Sequence, residues 1–60
     1  MNELLEVLKS VPDYYDDFVA GMLSLLKDDE ENRKKVIEFI KEDSARRTSD
    51  VIEYLDELGI

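Results

Sequence analysis

The chain contains no cysteine, no histidine and no tryptophan, and it has only one proline and two glycines in 60 residues. The lack of cysteine excludes disulfides and thiolate metal sites. The lack of histidine removes the commonest general base and metal ligand. A chain this short buries only about 60% of the surface that its unfolded form exposes. Stability must therefore come from close packing or from a partner, so a homodimer is one assembly we consider.

Long hydrophobic runs and a targeting signal are also lacking. The longest apolar stretch, "FVAGML" continued through Ser24 to two leucines, is far shorter than the roughly 18 to 20 residues of a membrane span. The opening "MNELLEVLK" carries two glutamates and no leading basic cluster, unlike a signal peptide. An absence of cysteine fits a reducing compartment. We expect a soluble cytoplasmic protein without membrane contact.

Basic residues are scarce, with 8 against 16 acidic residues and a net charge of −8. Such a charge favours solubility and discourages binding to nucleic acid or anionic membranes. The 43% hydrophobic content and a clear periodicity argue against disorder. The composition therefore predicts a folded protein that does not bind nucleic acid directly.

What the sequence does contain is a helical pattern, because apolar residues recur with a 3.6-residue period and strong helix formers dominate. The pattern predicts one all-α domain over residues 1–60, a small helical bundle of three to four short amphipathic helices. We expect helices at about residues 2–9, 11–27, 29–42 and 49–58. Three helices would result if the weak break at Ser44–Ser49 is bridged.

Capping residues support the predicted starts of the second and third helices. Ser10 and Asp13, with Pro12 between them, fit a capping box at the start of the second helix. Asp28 followed by Glu31 is a similar arrangement before the third helix.

The fourth helix has its own signals. Thr48 or Ser49 can cap it, and Gly59 fits the C′ position that ends a helix.

Two inward faces follow from the periodicity. The apolar side chains of the second helix that should face the core are Tyr15, Phe18, Val19, Met22, Leu25 and Leu26. Those of the fourth helix are Val51, Ile52, Leu55 and Leu58. The small residues Ala20, Gly21 and Ser24 predict that another helix approaches the second one closely.

No constellation for catalysis is present. The sequence has no Ser-His or Cys-His pair, no Gly-rich phosphate loop and no HExxH motif. Paired carboxylates need a cleft with contrasting environments to act as acid and base, and a bundle of this size has little room for one. We expect no enzyme, no cofactor and no small-molecule substrate.

Acidic residues cluster in the first half of the chain. One cluster is Asp13, Asp16 and Asp17, and the other is Asp28, Asp29, Glu30 and Glu31. Neither cluster matches the D-x-D-x-D-G-x5-E calcium pattern, so no metal site is expected. The carboxylates have a simpler role near helix N-termini, where the helix dipole favours them. They also form a candidate acidic surface for a basic partner. Its members are Asp13, Asp16, Asp17, Asp28, Asp29, Glu30 and Glu31.

Six of the basic residues lie within fifteen residues, between Arg33 and Arg47. One interpretation is a local contact with an anionic partner. The other is a solvated helix face, because five of the six bases follow an acid at the favourable i, i+4 spacing. The five expected pairs are Asp29–Arg33, Glu30–Lys34, Glu31–Lys35, Glu42–Arg46 and Asp43–Arg47.

Three aromatic residues, Tyr14, Phe39 and Tyr54, fall at the edges of the apolar faces. They form a candidate partner surface, since aromatic residues are enriched where partners dock. The alternative is that they complete the rim of the core. The repeated patterns "VIEFI" and "VIEYL" predict two helices with the same inward face, with Phe39 and Tyr54 at its edge.

The segment "TSDVIEYLDELGI" resembles the Ser/Thr-capped second helix of many helix-turn-helix and winged-helix domains, and the helix before it resembles their first. The resemblance covers less than half of the chain. In that family the recognition helix follows the "LGI" turn, where this sequence ends, so we expect no base readout by that route. The resemblance implies an accessory of a transcriptional regulator, which requires Arg33, Lys34, Lys35, Arg46 and Arg47 to share one exposed face.

These observations favour a small acidic non-catalytic protein that serves as a protein–protein interaction or structural module, through a protein partner or self-association. The first alternative is an acidic inhibitor or nucleic-acid mimic that binds a basic partner. The second is the accessory of a helix-turn-helix-type regulator.

Overall fold

The computed structural model describes residues 2–60 and confirms the predicted all-α bundle. Its four helices are α1 (Glu3–Lys9), α2 (Asp16–Leu26), α3 (Glu30–Glu42) and α4 (Thr48–Leu58). No strand occurs in this part of the chain. None of these helices is long and apolar enough to cross a membrane.

All four helices share one core, and α3 lies against each of the other three. α1 also packs on α2, whereas the packing of α4 is chiefly on α3. The buried apolar side chains are Leu4, Val7, Leu8, Val11, Phe18, Val19, Met22, Leu26, Val36, Ile40, Val51 and Leu55. Val36 and Ile40 of α3 and Val51 and Leu55 of α4 are among them, so the two repeated patterns do present equivalent inward faces.

α2 begins at Asp16, five residues later than predicted. Val11 instead enters the core from a turn, which is closed by a 3.1 Å hydrogen bond from the Tyr14 N–H to the Val11 carbonyl. The residue before a proline is disfavoured in helical conformation, and Val11 precedes Pro12. Helical conformation thus stops at Val11, and the chain stays non-helical from there through Tyr15.

The predicted capping box of Ser10 and Asp13 is wrong. The Ser10 hydroxyl donates to the Val7 carbonyl at 2.6 Å and belongs to the end of α1. Asp13 reaches α4 instead, as described below.

Four of the six predicted inward residues of α2 are buried, but Tyr15 and Leu25 are 51% and 56% exposed. The buried face is centred on Phe18, Met22 and Leu26, which are spaced four residues apart. Leu25 lies at the edge of that face, and Tyr15 precedes the helix. Ile52 of α4 was also expected inside and is exposed in the same way.

The side of α2 that points away from the core carries Asp17, Ala20, Gly21 and Ser24, with Leu25 at its border, all exposed, and we call these five residues the α2 outer face. The close helix approach predicted for these small residues does not occur within the chain. A Cβ atom added at Gly21 would meet nothing within 4 Å.

The start of α3 is capped by Asp29 rather than Asp28. Its carboxylate accepts hydrogen bonds from the Asn32 N–H at 3.2 Å and the Asn32 side-chain amide at 2.7 Å. Arg33 in the first turn of α3 donates to the carbonyls of Leu26 and Lys27 at 3.0 and 2.8 Å. A cation at these last carbonyls is favoured by the helix dipole, so Arg33 stabilises the end of α2.

The break between α3 and α4 is real and falls at residues 43–47. The Asp43 carboxylate accepts from the Ala45 N–H at 2.9 Å, which turns the chain without glycine or proline. α4 is preceded by Arg47, whose N–H donates to the Asp50 carboxylate at 3.0 Å. The predicted cap at Thr48 or Ser49 is therefore displaced by one to two residues.

α4 ends as predicted at Gly59. This residue adopts φ 82° and ψ 23°, a left-handed conformation that only glycine adopts at little cost. The Ile60 N–H returns to the Leu55 carbonyl at 3.2 Å, which completes the helix end.

Candidate interaction surfaces

Phe39 and Tyr54 are stacked on each other at the α3–α4 boundary. Their ring centroids are 4.2 Å apart and their planes differ by 2°. The Arg46 guanidinium carbon lies 3.8 Å from the Phe39 centroid, and its Nε donates to the Phe39 carbonyl at 3.2 Å. Because Tyr54 covers one face of the Phe39 ring, Arg46 must cover the other. The half-buried Phe39 is thus enclosed between two neighbours at the edge of the core.

Tyr14, the third member of the candidate aromatic surface, lies in the connection before α2 and is exposed. Among residues 2–60 no ring contact joins it to Phe39 or Tyr54. The structure therefore brings together two of the three predicted residues.

Asp13 has become a long-range cap for α4, which we call the Asp13 clasp (Asp13 with Arg47 and Thr48). The Thr48 N–H donates to Asp13 Oδ1 at 2.8 Å, and the Thr48 hydroxyl donates to Oδ2 at 3.2 Å. Arg47 Nε lies 3.7 Å from Oδ2. Thr48 is buried, so its hydroxyl needs this partner. The clasp joins the α1–α2 connection to the first turn of α4.

Removing the clasp should destabilise the fold. We expect Asp13→Ala to lower the Tm by on the order of 5 °C. The substitution removes the carboxylate that accepts hydrogen bonds from the N–H and the hydroxyl of Thr48, at the start of α4. Thermal melts followed by circular dichroism measure the change. Asp56→Ala is the matched control, since Asp56 is exposed on α4 and bonds no other side chain within residues 2–60. Equal Tm values for the two variants would contradict the role of the clasp.

The other members of the predicted acidic surface fall into two groups. Asp29 caps α3, while Glu30 and Glu31 lie 3.9 and 3.7 Å from Lys34 and Lys35 across one helical turn. The second group, Asp16, Asp17 and Asp28, is exposed and has no ion pair within residues 2–60.

Two of the five predicted i, i+4 ion pairs form, those of Lys34 and Lys35. Arg33 binds the end of α2 instead of Asp29, Arg46 lies on Phe39 instead of pairing with Glu42, and Arg47 joins Asp13 instead of Asp43. Each of these arginines has a tertiary partner that local spacing does not reveal.

Lys41 forms an ion pair with Glu3 at 2.7 Å, which ties the end of α3 to the start of α1.

The bases that a regulator accessory requires on one exposed face are spread over roughly 20 Å, since Arg33 lies in the first turn of α3 and Arg46 beyond its end. Three of them, Arg33, Arg46 and Arg47, are already held by contacts within the chain. These contacts count against a free basic face, and the regulator accessory stays a prediction.

One further acidic surface, which was not predicted from the sequence, lies on the solvent side of α4. Glu53, Asp56 and Glu57 are exposed there and have no ion pair within the described chain. The signal was available, because no lysine or arginine occurs between Thr48 and Leu58.

Two carboxylates should make stability fall in acid. Hydrogen bonds from the Thr48 N–H and hydroxyl, with Arg47 nearby, hold the pKa of Asp13 below its ordinary value of 3.8. The Asn32 amide and N–H do the same for the pKa of Asp29. Since the folded pKa is the lower one, this stability is present above 3.8 and is lost as the pH falls toward the folded values.

We therefore expect the free energy of unfolding to fall more steeply between about pH 5 and pH 2 in the native chain than in Asp13→Asn/Asp29→Asn. Urea titrations at several pH values measure both slopes, and comparing the two proteins cancels the contribution of the remaining carboxylates. Parallel slopes would contradict the prediction.

Few features of the described chain suggest a small-molecule site. A shallow open groove of ≈ 630 Å³ lies between α1, α2 and α3, lined in part by Lys27, Arg33, Lys34, Glu3 and Glu30. Three of these charged groups are already paired within the chain, because Lys34 pairs with Glu30 and Glu3 pairs with Lys41. No buried side-chain polar atom lacks a hydrogen bond, and no group of three acidic residues could hold a metal ion, among residues 2–60.

Large apolar side chains remain exposed on several elements of the fold. They are Tyr14, Tyr15, Leu25, Ile52 and Ile60. Known proteins offer no guide to their use: no family model matches the chain, and no curated protein or solved structure matches it significantly.

Proposed function

We propose that this chain is a small acidic helical protein without catalytic activity that acts through protein–protein contacts, in the cytoplasm. The observation that carries the proposal is the exposure of Tyr15 and Leu25, each more than half accessible, at the two ends of α2. Aromatic residues such as Tyr15 are enriched in protein–protein interfaces, and contiguous apolar surface bordered by polar residues marks sites that partners cover.

The proposal is tested by sedimentation equilibrium of the purified protein together with capture of partners on the immobilised chain. Tyr15→Ser and Leu25→Ser should weaken association while leaving the helical signal unchanged, because neither side chain belongs to the core. Asp56→Ser, on the far side of α4, is the control. A monomer that captures no partner would remove the support for this function.

A second candidate is an acidic protein that occupies the basic groove of a partner. The observation in its favour is that most bases have partners within the chain, whereas Asp16, Asp17, Glu53, Asp56 and Glu57 have no ion pair among residues 2–60. The negative charge of these groups is therefore left available to a partner.

This candidate predicts binding to a basic partner that weakens as salt concentration rises. The variants Asp16→Asn/Asp17→Asn and Glu53→Gln/Glu57→Gln neutralise α2 and α4 separately, so they show which helix carries the contact. Asp13 and Asp29 are left unchanged because they hold the fold together. Binding that does not respond to salt would count against this candidate.

A further inference from the structure

We infer that the α2 outer face binds a second copy of this chain, with the two α2 helices antiparallel. This inference rests on the proposed function, of which self-association is one form. Three features of α2 carry it: an exposed leucine, an unexplained glycine, and a pair of charges placed to meet their opposites in a second copy.

Leu25 is the most exposed large apolar side chain of the described residues, at 56%. Its neighbours on the α2 outer face are Ala20, Gly21 and Ser24, whose short side chains allow a helix to approach closely. The distance between packed helices depends on the side chains at the contact. Asp17 lies on the same face, one turn before Gly21, and in the pair described below it falls beside Lys27 of the other copy. The rest of the face is flat apart from the projecting leucine, which fits another helix.

Nothing among residues 2–60 of a single copy requires a glycine at position 21. Glycine inside a helix is among the least favourable residues, and alanine would be better there. Within the described chain no neighbour requires the small residue, because an added Cβ meets nothing within 4 Å, and Gly21 does not have a positive φ. A close approach by another copy accounts for a glycine at this position.

Two charged residues at the ends of α2, Asp16 and Lys27, favour a second copy as the partner and an antiparallel orientation of the two helices. Asp16 and Lys27 are eleven residues apart, about three helical turns, so they lie along the same edge of α2. Both are exposed, and neither has an ion pair within residues 2–60. They are placed symmetrically about Gly21 and Met22.

In a two-fold antiparallel pair centred between those residues, Asp16 of each copy faces Lys27 of the other. A two-fold interface uses the same patch twice, so this contact occurs two times. Leu25 then faces the first turn of the other α2, where the half-exposed Tyr15 ring lies 5.8 Å from that of Phe18. A parallel pair would instead place Asp16 against Asp16.

Association through this face is expected to be weak. A pair of helices of 11 residues covers less than the roughly 800 Å² per partner of a standard interface. Asp28 and the net charge of −8 on each copy add repulsion. A dissociation constant in the range of about 10 µM to 1 mM is therefore the appropriate window for measurement.

Complementary charge reversal tests both the contact and its direction by sedimentation equilibrium of the full chain. Asp16→Lys places two lysines together at each contact, and Lys27→Glu places two acids together. Each variant alone should therefore dimerise about tenfold or more weakly than the native chain. Mixed in equal amounts, the two variants should form a heterodimer close to native affinity, because both contacts are again of opposite sign.

The same design separates the contact from general electrostatics. Asp16→Lys makes the chain less negative and Lys27→Glu makes it more negative, so a net-charge effect would move their affinities in opposite directions. The mixed pair carries the same total charge as the native dimer. Asp56→Lys on α4 and Lys9→Glu on α1 are the matched control pair. An equal mixture of these two controls should associate no more tightly than either control variant does alone.

A fifth variant, Gly21→Arg, should abolish dimerisation while keeping the helical signal, since its side chain enters open space in a single copy. A mixture no tighter than its parents, or a dimer that tolerates Gly21→Arg, would overturn the inference and leave self-association to another face. A native chain that is monomeric throughout the window would overturn it as well. Partner capture would then decide the proposed function independently.

Discussion

Replacing Leu26 by alanine is expected to lower the free energy of unfolding by about 3 to 4 kcal/mol. The Leu26 side chain is 0% exposed and lies where the end of α2 enters the core. A domain of this size has a total stability of only about 3 to 9 kcal/mol, so the variant should be close to unfolding at room temperature. Urea titration followed by circular dichroism gives the value.

Leu25→Ala is the matched control, because the same atoms are removed from the neighbouring residue. Leu25 is 56% exposed, so we expect a change below about 0.5 kcal/mol at low micromolar concentration, where the monomer predominates. Similar losses for the two variants would contradict the placement of α2 on the core. The comparison thus tests which side of α2 faces inward, independently of overall helix content.

The second large effect is expected at the aromatic stack. Phe39→Ala should cost about 2 kcal/mol, less than for a fully buried phenylalanine because the ring is only half buried. The substitution removes the 4.2 Å stack with Tyr54 and the surface on which Arg46 lies. The loss should appear in the same urea titration.

Tyr54→Phe is the control at this site, since it keeps the stacked ring and removes only the hydroxyl. It should change stability by less than about 0.5 kcal/mol. Should Phe39→Ala prove as mild as Tyr54→Phe, the ring would not complete the core, and the candidate partner surface would become the better interpretation of Phe39.

Local sequence was sufficient for the extents of α3 and α4, to within one or two residues, and for the glycine that ends α4. Their apolar period is uninterrupted and polar residues suited to capping lie near each boundary, whereas the cap that Asp13 provides for α4 is distant in sequence. The start of α2 was missed for the opposite reason. Asp13 has the local appearance of a cap for α2, but its hydrogen-bond partner Thr48 is 35 residues away.

The predicted ion pairs show the same limit. Spacing of i, i+4 correctly paired Lys34 and Lys35, for which no tertiary partner competes. Arg46 and Arg47 were assigned to acids in the adjacent turn, but the helix ends before them. The α3–α4 connection then carries these two residues to Phe39 and Asp13, and spacing along a helix no longer applies to them.

The Asp13 clasp has a consequence for how the molecule opens. α4 packs chiefly on α3 and is held at its first turn by the clasp, so these two contacts supply most of the free energy needed to detach it alone. Native-state hydrogen exchange should show the α4 amides exchanging through a smaller opening than those of α3. In Asp13→Ala that gap should widen, and the chain would behave as two cooperative units, a three-helix remainder and a detachable fourth helix.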